Sequence, residues 1–187
     1  MAKAQKKIII FEGPSGVGKD VTMNALCSLA PEKFKKIPSY TSRPIRPGET
    51  DGITYFFIDE KIFLEKTKSG EIFEHTTRHG TYRGMGKSLI LDIINNGRIA
   101  LKDLDIVGMR AIKNFFPNQV LCIFITANKD VIRQRLEKRG CQDIERRLAD
   151  YDNVHKNINE YDHVVVDEGP LHESVEKILN ILKEYQI

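Results

Sequence analysis

A short apolar segment, a glycine-rich loop and a helical pattern follow one another near the start of the chain, and this order constrains the fold most strongly. KKIIIF ends at Phe11, and GPSGVGKD spans Gly13–Asp20. Apolar residues then recur at helical spacing, and Pro31 ends the pattern. A buried, β-branched strand followed by a loop and a helix predicts the opening of a β-α-β unit with a parallel sheet.

The loop has the composition of a phosphate-binding loop. Gly13, Gly18 and Lys19 satisfy the pattern GxxxxGK. Glycines let successive backbone N–H groups point inward at phosphate oxygens, and the following helix adds its positive N-terminal dipole. Lys19 is expected to supply a mobile positive charge to the β- and γ-phosphates. The pattern therefore predicts binding of a nucleoside triphosphate.

The rest of the chain alternates between strand and helix patterns. Strands are predicted around Ile99–Leu104, from Val120 and from His163, and helices at about 129–138, 144–157 and 171–185. This alternation favours an α/β fold. The segment 38–87 differs, because prolines and glycines punctuate it and aromatic residues lie between them. It is predicted to be a turn-rich insertion of short strands.

Composition excludes several classes of protein. The net charge of +3 over 187 residues is too small for a protein that coats nucleic acid. A charged fraction of 29% together with nine Phe residues argues against a disordered chain. Three cysteines without CxxC spacing indicate neither a disulfide framework nor a zinc site. No apolar run is long enough to cross a membrane, and none resembles a signal peptide. We expect a cytoplasmic protein.

A second phosphate site is predicted within the insertion. Arg43 and Arg46 flank one Pro-Ile step, and Tyr55 follows after a turn. Proline restricts the chain, so the two guanidinium groups are partly preorganised. Two guanidinium groups and a phenol suit a phosphate monoester. Read alone, the segment would be as consistent with a solvated basic loop.

Five segments together resemble the guanylate kinase family of nucleoside monophosphate kinases: GPSGVGK, TSRPIRPGETDGITYFF, EIFEHTTRHGTYRG, KDLDIVG, and RLEKRG with the following ERRL. The resemblance extends from Ile8 to about Tyr185. It implies a P-loop NTPase core with a parallel five-stranded sheet flanked by helices, made of residues 1–37, 88–135 and 151–187. It also implies an inserted monophosphate-binding subdomain at 38–87 and a lid at 136–150.

The resemblance also implies roles for individual residues. The catalytic residues would be Lys19, Arg43, Arg139 and Arg147. ATP would contact Gly13, Pro14, Ser15, Gly16, Val17, Gly18, Lys19, Asp20, Arg135 and Arg139. The acceptor would contact Ser39, Arg43, Arg46, Tyr55, Glu74, Tyr82, Arg83, Asp103 and Asp105, with Ser39 and Glu74 reading guanine. Asp20 and Asp103 would hold Mg²⁺, since carboxylate oxygens suit this cation.

Several positions depart from the family's pattern. Asp20 stands where a Ser or Thr is usual after the lysine, Arg83 replaces a second tyrosine, and Met85 replaces a Ser or Thr that helps to read guanine O6. Asp167 stands near the usual adenine-contacting asparagine, and Lys102 occupies a strand position that is normally apolar. The predicted lid is about three residues shorter than usual. These departures bear mainly on which acceptor is used.

The resemblance implies an enzyme that phosphorylates GMP or dGMP with MgATP. A GKD ending of the loop also resembles ribose 1,5-bisphosphate kinases, so a sugar-phosphate kinase or another related small-molecule kinase is the first alternative. The second alternative is a noncatalytic guanylate-kinase-like module, although such modules typically have degraded phosphate loops. The expected partners are the small-molecule substrates, with no nucleic acid and no membrane, and the protein is expected to be a monomer or a weak homodimer.

Overall fold

The computed structural model describes residues 6–78 and 80–187. The first five residues of the predicted core segment 1–37 therefore lie outside the described part. Within it, the strands in chain order are β1 (Ile8–Glu12), β2 (Phe34–Lys36), β3 (Ser39–Thr41), β4 (Tyr55–Phe57), β5 (Ile72–Arg78), β6 (Thr81–Gly86), β7 (Ile99–Asp103), β8 (Val120–Thr126) and β9 (His163–Val166).

The helices alternate with these strands. In chain order they are α1 (Lys19–Leu29), α2 (Glu60–Lys68), α3 (Lys87–Asn95), α4 (Ile106–Phe115), α5 (Lys129–Lys138), α6 (Ile144–Ala149), α7 (Tyr151–His155) and α8 (Leu171–Glu184), with a 3₁₀ turn at Ile158–Glu160. Within the described ranges, none of these helices is long and apolar enough to cross a bilayer.

The main sheet has five parallel strands in the order β2-β7-β1-β8-β9, which confirms the predicted fold class. All five residues of β1 are buried, because helices cover both faces of the sheet. The first residue of β1, Ile8, lies opposite Ala100 on one side and Val120 on the other. The carboxyl ends of β1 and β7 therefore meet at one edge, where ligands bind in open α/β sheets.

A separate four-stranded sheet lies within the insertion, in the order β4-β3-β6-β5. Strand β6 pairs antiparallel with both β3 and β5, and α2 packs on this sheet through the fully buried Phe63. Tyr40 and Ile72 complete its small apolar core. The insertion thus has secondary structure and a core of its own beside the main sheet.

The helix predicted at about 144–157 is divided at Asp150 into α6 and α7. The short α7 is fixed to the end of β8, because the Tyr151 hydroxyl donates to the Ala127 carbonyl at 3.0 Å and the His155 ring bonds Thr126 Oγ1 at 2.7 Å. A division of the helix lets its first half cross the phosphate loop while its second half packs against the sheet.

Candidate active site

The phosphate loop connects the buried end of β1 to the start of α1. Gly13 has φ = +147°, and a Cβ there would lie 1.9 Å from the Ile125 carbonyl oxygen. Only glycine fits this position. Gly18 precedes α1 without any side-chain cap, which leaves the first N–H groups of the helix available to an anion.

Lys19 lies along the inner side of this loop. Its Nζ donates to the Gly13 carbonyl at 2.6 Å and to the Pro14 carbonyl at 3.1 Å. Burial lowers the pKa of Lys19 below its ordinary value, while the carboxylates of Asp103 and Glu12 act in the opposite direction. The ammonium group is therefore held beside the loop, close to carboxylates on the ends of two central strands.

A cleft of about 650 Å³ lies over the loop. Its lining is formed by Glu12, Gly13, Ser15, Gly16, Gly18, Lys19, Asp20, Val21, Asp103, Leu104, Asp105, Arg139, Arg147, Asp150 and Val154. Of the predicted ATP ligands, Pro14, Val17 and Arg135 are not in this lining. Pro14 contributes its carbonyl to Lys19, and the side chain of Val17 is fully buried in the core.

The predicted lid arginines occupy different positions. Arg147 donates to Ser15 Oγ at 3.0 Å and to Asp143 Oδ1 at 2.7 Å, so α6 is attached to the phosphate loop. Arg139 is the C-cap of α5 and lines the cleft. Leu136, at the predicted start of the lid, is buried instead, and a Cβ on Gly16 would lie 2.8 Å from its Cδ2.

A neighbouring cavity of about 500 Å³ shares Gly18, Val21 and Arg139 with the cleft. Val21 and Leu171 add apolar surface to this cavity, and both side chains are exposed. Arg135 also lines this cavity, and its guanidinium bonds the buried Asp167 at 3.1 Å and the Val17 carbonyl at 2.9 Å. The cavity offers apolar walls and a fixed ion pair to a flat heterocycle.

A third cavity, of about 220 Å³, opens on the other side of the β7 end. It is lined by Ser39, Glu74, Thr76, Arg83, Gly84, Met85, Lys102, Asp103, Leu104 and Asp105. The last three also line the cleft over the loop. Asp105 accepts from the Gly108 N–H at 2.9 Å and so caps α4, which fixes this shared wall.

Two charged groups in the third cavity are largely removed from water. Burial, together with the nearby Asp105, raises the pKa of Glu74. Burial lowers the pKa of Lys102 from its ordinary value of 10.5 to about 8, and the Arg83 guanidinium acts in the same direction. Lys102 is only 7% exposed, and its Nζ donates at 2.8 Å both to the Ile37 carbonyl and to Ser39 Oγ.

The predicted acceptor-phosphate ligands Arg43, Arg46 and Tyr55 line none of these three cavities. Arg43 forms a two-pronged ion pair with Glu49, with Nη1 2.7 Å from Oε2, and this contact lowers the pKa of Glu49 to about 2. The side chain of Arg46 is exposed, and its backbone N–H also bonds Glu49. Sequence reasoning missed this internal carboxylate as the partner of the arginine pair.

Arg83 connects these residues to the third cavity. Its guanidinium lies 5.0 Å from the centre of the Tyr55 ring, and that of Arg43 lies 4.9 Å from the same ring. Tyr82 does not accompany Arg83, because neighbouring residues of a strand point to opposite faces. The Tyr82 ring instead stacks on Phe63 at 5.3 Å, in the core of the small sheet. The structure thus brings Arg83 to the cavity and leaves the Tyr82 ring on the other face.

Asp20 lies at the rim of the cleft rather than in its depth. Its carboxylate pairs with Lys36 Nζ at 2.8 Å, and the side chain is 72% exposed. The hydrogen bond from Lys36 lowers the pKa of Asp20. The carboxylate is therefore ionised and accessible at neutral pH, but it is already engaged by a lysine of β2.

Glu12 is a site residue that the sequence interpretation overlooked. It ends β1, is 7% exposed, and lines the cleft beside the phosphate loop. Its Oε2 is buried without a hydrogen-bond partner among the described residues. Burial, followed by the charge of Asp105, raises the pKa of Glu12 to about 7. An acidic residue closing an otherwise apolar strand, directly before Gly13, is the signal that could have identified it.

We expect Glu12→Gln to stabilise the protein at pH 8 but not at pH 4. The folded-state pKa of Glu12 lies above that of the unfolded chain, so wild type loses stability as the pH rises from about 4.5 to 7. The amide cannot ionise and avoids this loss, which amounts to about 1–3 kcal/mol. Urea unfolding of both proteins at the two pH values tests this, and an equal difference at both would contradict it.

Comparison with known proteins identifies the family of the chain. The guanylate kinase family model matches residues 5–185. The guanylate kinase of Symbiobacterium thermophilum is 32% identical over 169 residues, which cover 89% of this chain and 80% of that protein. The guanylate kinase of Helicobacter hepaticus is 32% identical over 186 residues, covering 96% and 92%.

A solved structure gives the same result for the fold. The crystal structure of guanylate kinase from Anaplasma phagocytophilum superposes with a TM-score of 0.71 at 28% identity, and the match covers all of this chain and 89% of that one. The family match extends over nearly the whole sequence, and the phosphate loop, the adjoining cavities and the fold are consistent with it. The chain therefore belongs to the guanylate kinase family, a family of nucleoside monophosphate kinases.

Proposed function

We propose that the protein is an MgATP-dependent guanylate kinase, which transfers the γ-phosphoryl group of ATP to the phosphate of GMP or dGMP. The observation that carries this proposal is the wall formed by Asp103, Leu104 and Asp105. This wall belongs both to the cleft over the phosphate loop and to the cavity that holds Ser39 and Glu74. A donor in the cleft and an acceptor in the cavity would present their phosphates to each other there.

The chemistry of the third cavity supports guanine as the acceptor base. The carboxylate of Glu74 accepts hydrogen bonds, and guanine offers two donors side by side, N1–H and the 2-amino group. Adenine offers an unprotonated N1 at the same place, which would leave a buried carboxylate unpaired. Unpaired buried groups of this kind give the large discrimination that apolar contacts cannot give.

The transfer step needs positioning and charge stabilisation, and no covalent enzyme intermediate. The Lys19 ammonium would exchange the carbonyls of Gly13 and Pro14 for the more negative phosphate oxygens. Arg139 and Arg147, which line the same cleft, would supply further positive charge. The Arg135–Asp167 pair would flank the donor base in the neighbouring cavity.

The carboxylates fit a magnesium ion held jointly with the ATP phosphates. Asp20 and Asp103 line the same cleft, and the buried Oε2 of Glu12 adds a free oxygen beside it. In the part of the chain that the structure describes, no group of three His, Cys, Asp or Glu side chains is arranged to hold a metal. Mg²⁺ commonly binds one or two carboxylates plus substrate phosphates. When bound, it would supply positive charge to the phosphate oxygens.

The proposal also assigns roles to the inserted subdomain and to the mobile lid that the family resemblance implies. The insertion 38–87 would hold the acceptor, and residues 136–150 would act as a lid that closes over the phosphates and excludes water. We further propose that the enzyme works in the cytoplasm as a monomer or weak homodimer on small-molecule substrates, without nucleic acid or membrane.

One alternative acceptor is favoured by specific residues. Arg83 and Lys102 make the third cavity more cationic than guanine recognition alone requires. In addition, the GKD ending of the phosphate loop resembles that of ribose 1,5-bisphosphate kinases. A sugar bisphosphate would use such cations for its second phosphate. A noncatalytic binding module is the remaining alternative, and the intact glycines and Lys19 weigh against it.

An acceptor panel tests the proposal. ADP release from MgATP is coupled to a spectrophotometric readout, with GMP, dGMP, AMP, UMP or ribose 1,5-bisphosphate as acceptor and ATP alone as background. The proposal predicts turnover with GMP and dGMP well above that with AMP and UMP. A higher kcat/KM for ribose 1,5-bisphosphate would replace the proposal with the alternative, and turnover at background with every acceptor would indicate a noncatalytic module.

We expect Arg83→Ala to raise the KM of the acceptor by roughly 10–100-fold. The substitution would remove a hydrogen bond from the guanidinium to the acceptor phosphate, and a hydrogen bond to a charged group contributes about 1.5–3 kcal/mol. The KM of ATP should change little. Initial rates with each substrate varied in turn measure both constants. Arg110→Ala serves as the control, since Arg110 is paired with Glu160 and lines none of the three cavities. Equal changes in both KM values would mean that Arg83 is not part of the acceptor site.

A further inference from the structure

Lys102 occupies an unusual place for a lysine. It lies on β7, an interior strand of the main sheet, is 7% exposed, and has Asp103 as its neighbour at the strand end. Lysine is almost never this buried without partners, because removal of an ammonium group from water is costly. Here two hydrogen bonds of 2.8 Å, to the Ile37 carbonyl and to Ser39 Oγ, offset the cost. An apolar residue would serve packing alone at lower cost.

The contact with Ser39 determines how that hydroxyl can bond. An ammonium group has donors only, so the Ser39 oxygen must accept from Lys102. The hydrogen of the same hydroxyl must then point to another acceptor. Ser39 is 3% exposed, and Lys102 is the only partner of its Oγ among the described residues. Both side chains line the third cavity, so this hydrogen is available to a molecule bound there.

Met85 makes this hydroxyl more important. Met85 lies in the same lining, is 1% exposed, and has no hydrogen-bond donor. Glu74 lies in the lining as well and accepts hydrogen bonds. The cavity therefore combines a carboxylate acceptor with a hydroxyl that is constrained to donate. A 6-oxopurine matches this combination, since its exocyclic oxygen accepts while N1–H and the 2-amino group donate.

We infer that Lys102 is a specificity-determining positioning residue, which constrains Ser39 to donate its hydroxyl hydrogen to the exocyclic oxygen of a 6-oxopurine monophosphate. This inference rests on the proposed function and adds to it the group that distinguishes an oxygen from an amino group at position 6 of the purine. In adenine, a 6-amino donor would face the Ser39 donor, and N1 would face Glu74. Both contacts would be mismatched beside the buried side chains of Ser39 and Met85, so Lys102 supplies the selection that a Ser or Thr at position 85 would otherwise give.

A double-mutant cycle tests the inference. Lys102→Met removes the ammonium group at similar length, and Ser39→Ala removes the hydroxyl. The two single variants and the double variant are each assayed with GMP and with AMP as acceptor. We expect Lys102→Met to lower the ratio of kcat/KM for GMP over AMP by about 10–100-fold. Most of this should arise from a higher KM for GMP, with the KM of ATP unchanged. The double variant should be no worse than Ser39→Ala alone, because the lysine acts through the hydroxyl.

Two further variants separate this role from a structural one. Met85→Ser added to Lys102→Met is expected to recover part of the GMP preference, because it returns a donor to the same wall. Lys102→Arg keeps charged donors and should keep the preference if it folds. Lys177→Met is the matched control, since Lys177 is exposed on α8 and bonds the Val166 carbonyl away from the cavity.

The outcomes distinguish the inference from the proposed function. If wild type does not phosphorylate GMP, both fail. If wild type prefers GMP and a folded Lys102→Met variant keeps the wild-type ratio, only the inference fails. Additive effects of the two substitutions would also overturn it. If Lys102→Met does not fold, Ser39→Ala carries the test, and an unchanged GMP to AMP ratio in that variant contradicts the inference.

Discussion

Lys19→Ala is expected to lower the kcat for phosphoryl transfer by about 10²–10³-fold, the usual cost of removing one preorganised charge that faces the transition state. The reason lies in the position of the Lys19 ammonium, which is held against the carbonyls of Gly13 and Pro14 at the floor of the cleft. Among the residues that the structure describes, no other lysine lines the cleft. The fold should survive, because the two hydrogen bonds join the lysine only to its own loop.

Steady-state kinetics with saturating ATP and GMP measure this effect, and circular dichroism verifies the fold. Lys183→Ala is the control, since Lys183 lies on α8 and its side chain bonds Asn180 Oδ1 on the same helix. A folded Lys19→Ala protein with near-normal kcat would exclude phosphoryl transfer at this loop.

Glu74→Gln is expected to lower kcat/KM for GMP by about 10²-fold, because the substitution places an amide donor against the donors of guanine. A buried polar group left without its partner costs about 1–3 kcal/mol, and more where a charge is involved. Burial and Asp105 raise the pKa of Glu74, so the carboxylate in the free enzyme is already held in an unfavourable place. The two guanine donors would relieve this.

Kinetics with GMP and AMP measure the change, and the KM of ATP provides the internal control. The loss should be confined to the guanine nucleotide, so that the GMP to AMP ratio falls while ATP binding stays the same. Thr76→Ala, in the same cavity lining but without a charge, should have a much smaller effect. A parallel loss for GMP and AMP would mean that Glu74 supports the cavity without reading the base.

The parts of the fold that were predicted correctly depend on local pattern. The phosphate loop is recognisable because strand, glycines and helix follow one another within about twenty residues. The helix at Lys129–Lys138 and the strand from Val120 were predicted with their observed starts, since each carries a clear periodicity or an unbroken apolar run. The edge strand Phe34–Lys36 was not predicted, because it has three residues and only one of them is apolar.

The candidate site was harder to predict from the sequence. It depends on the face of the strand from which each side chain projects and on the charged side chains that lie nearby in three dimensions. The pairing of Arg43 with Glu49 could not be deduced from residue spacing, although the two are only six positions apart. Tyr82 and Arg83 are adjacent in sequence but lie on opposite faces of β6. Lys102 was noted as an unusual strand residue, but only the three-dimensional contacts connect it to Ser39.

Transfer of the label from [γ-³²P]ATP in the presence of GMP tests the central claim most directly, because ADP release alone does not distinguish transfer from hydrolysis. The proposed function predicts that the label appears in the β-phosphate of GDP, in equal amount to the ADP formed, and that Lys19→Ala abolishes most of it. Label recovered as inorganic phosphate, with no labelled GDP, would contradict the proposal that ATP in the cleft and GMP in the third cavity react where the two meet, at the end of β7.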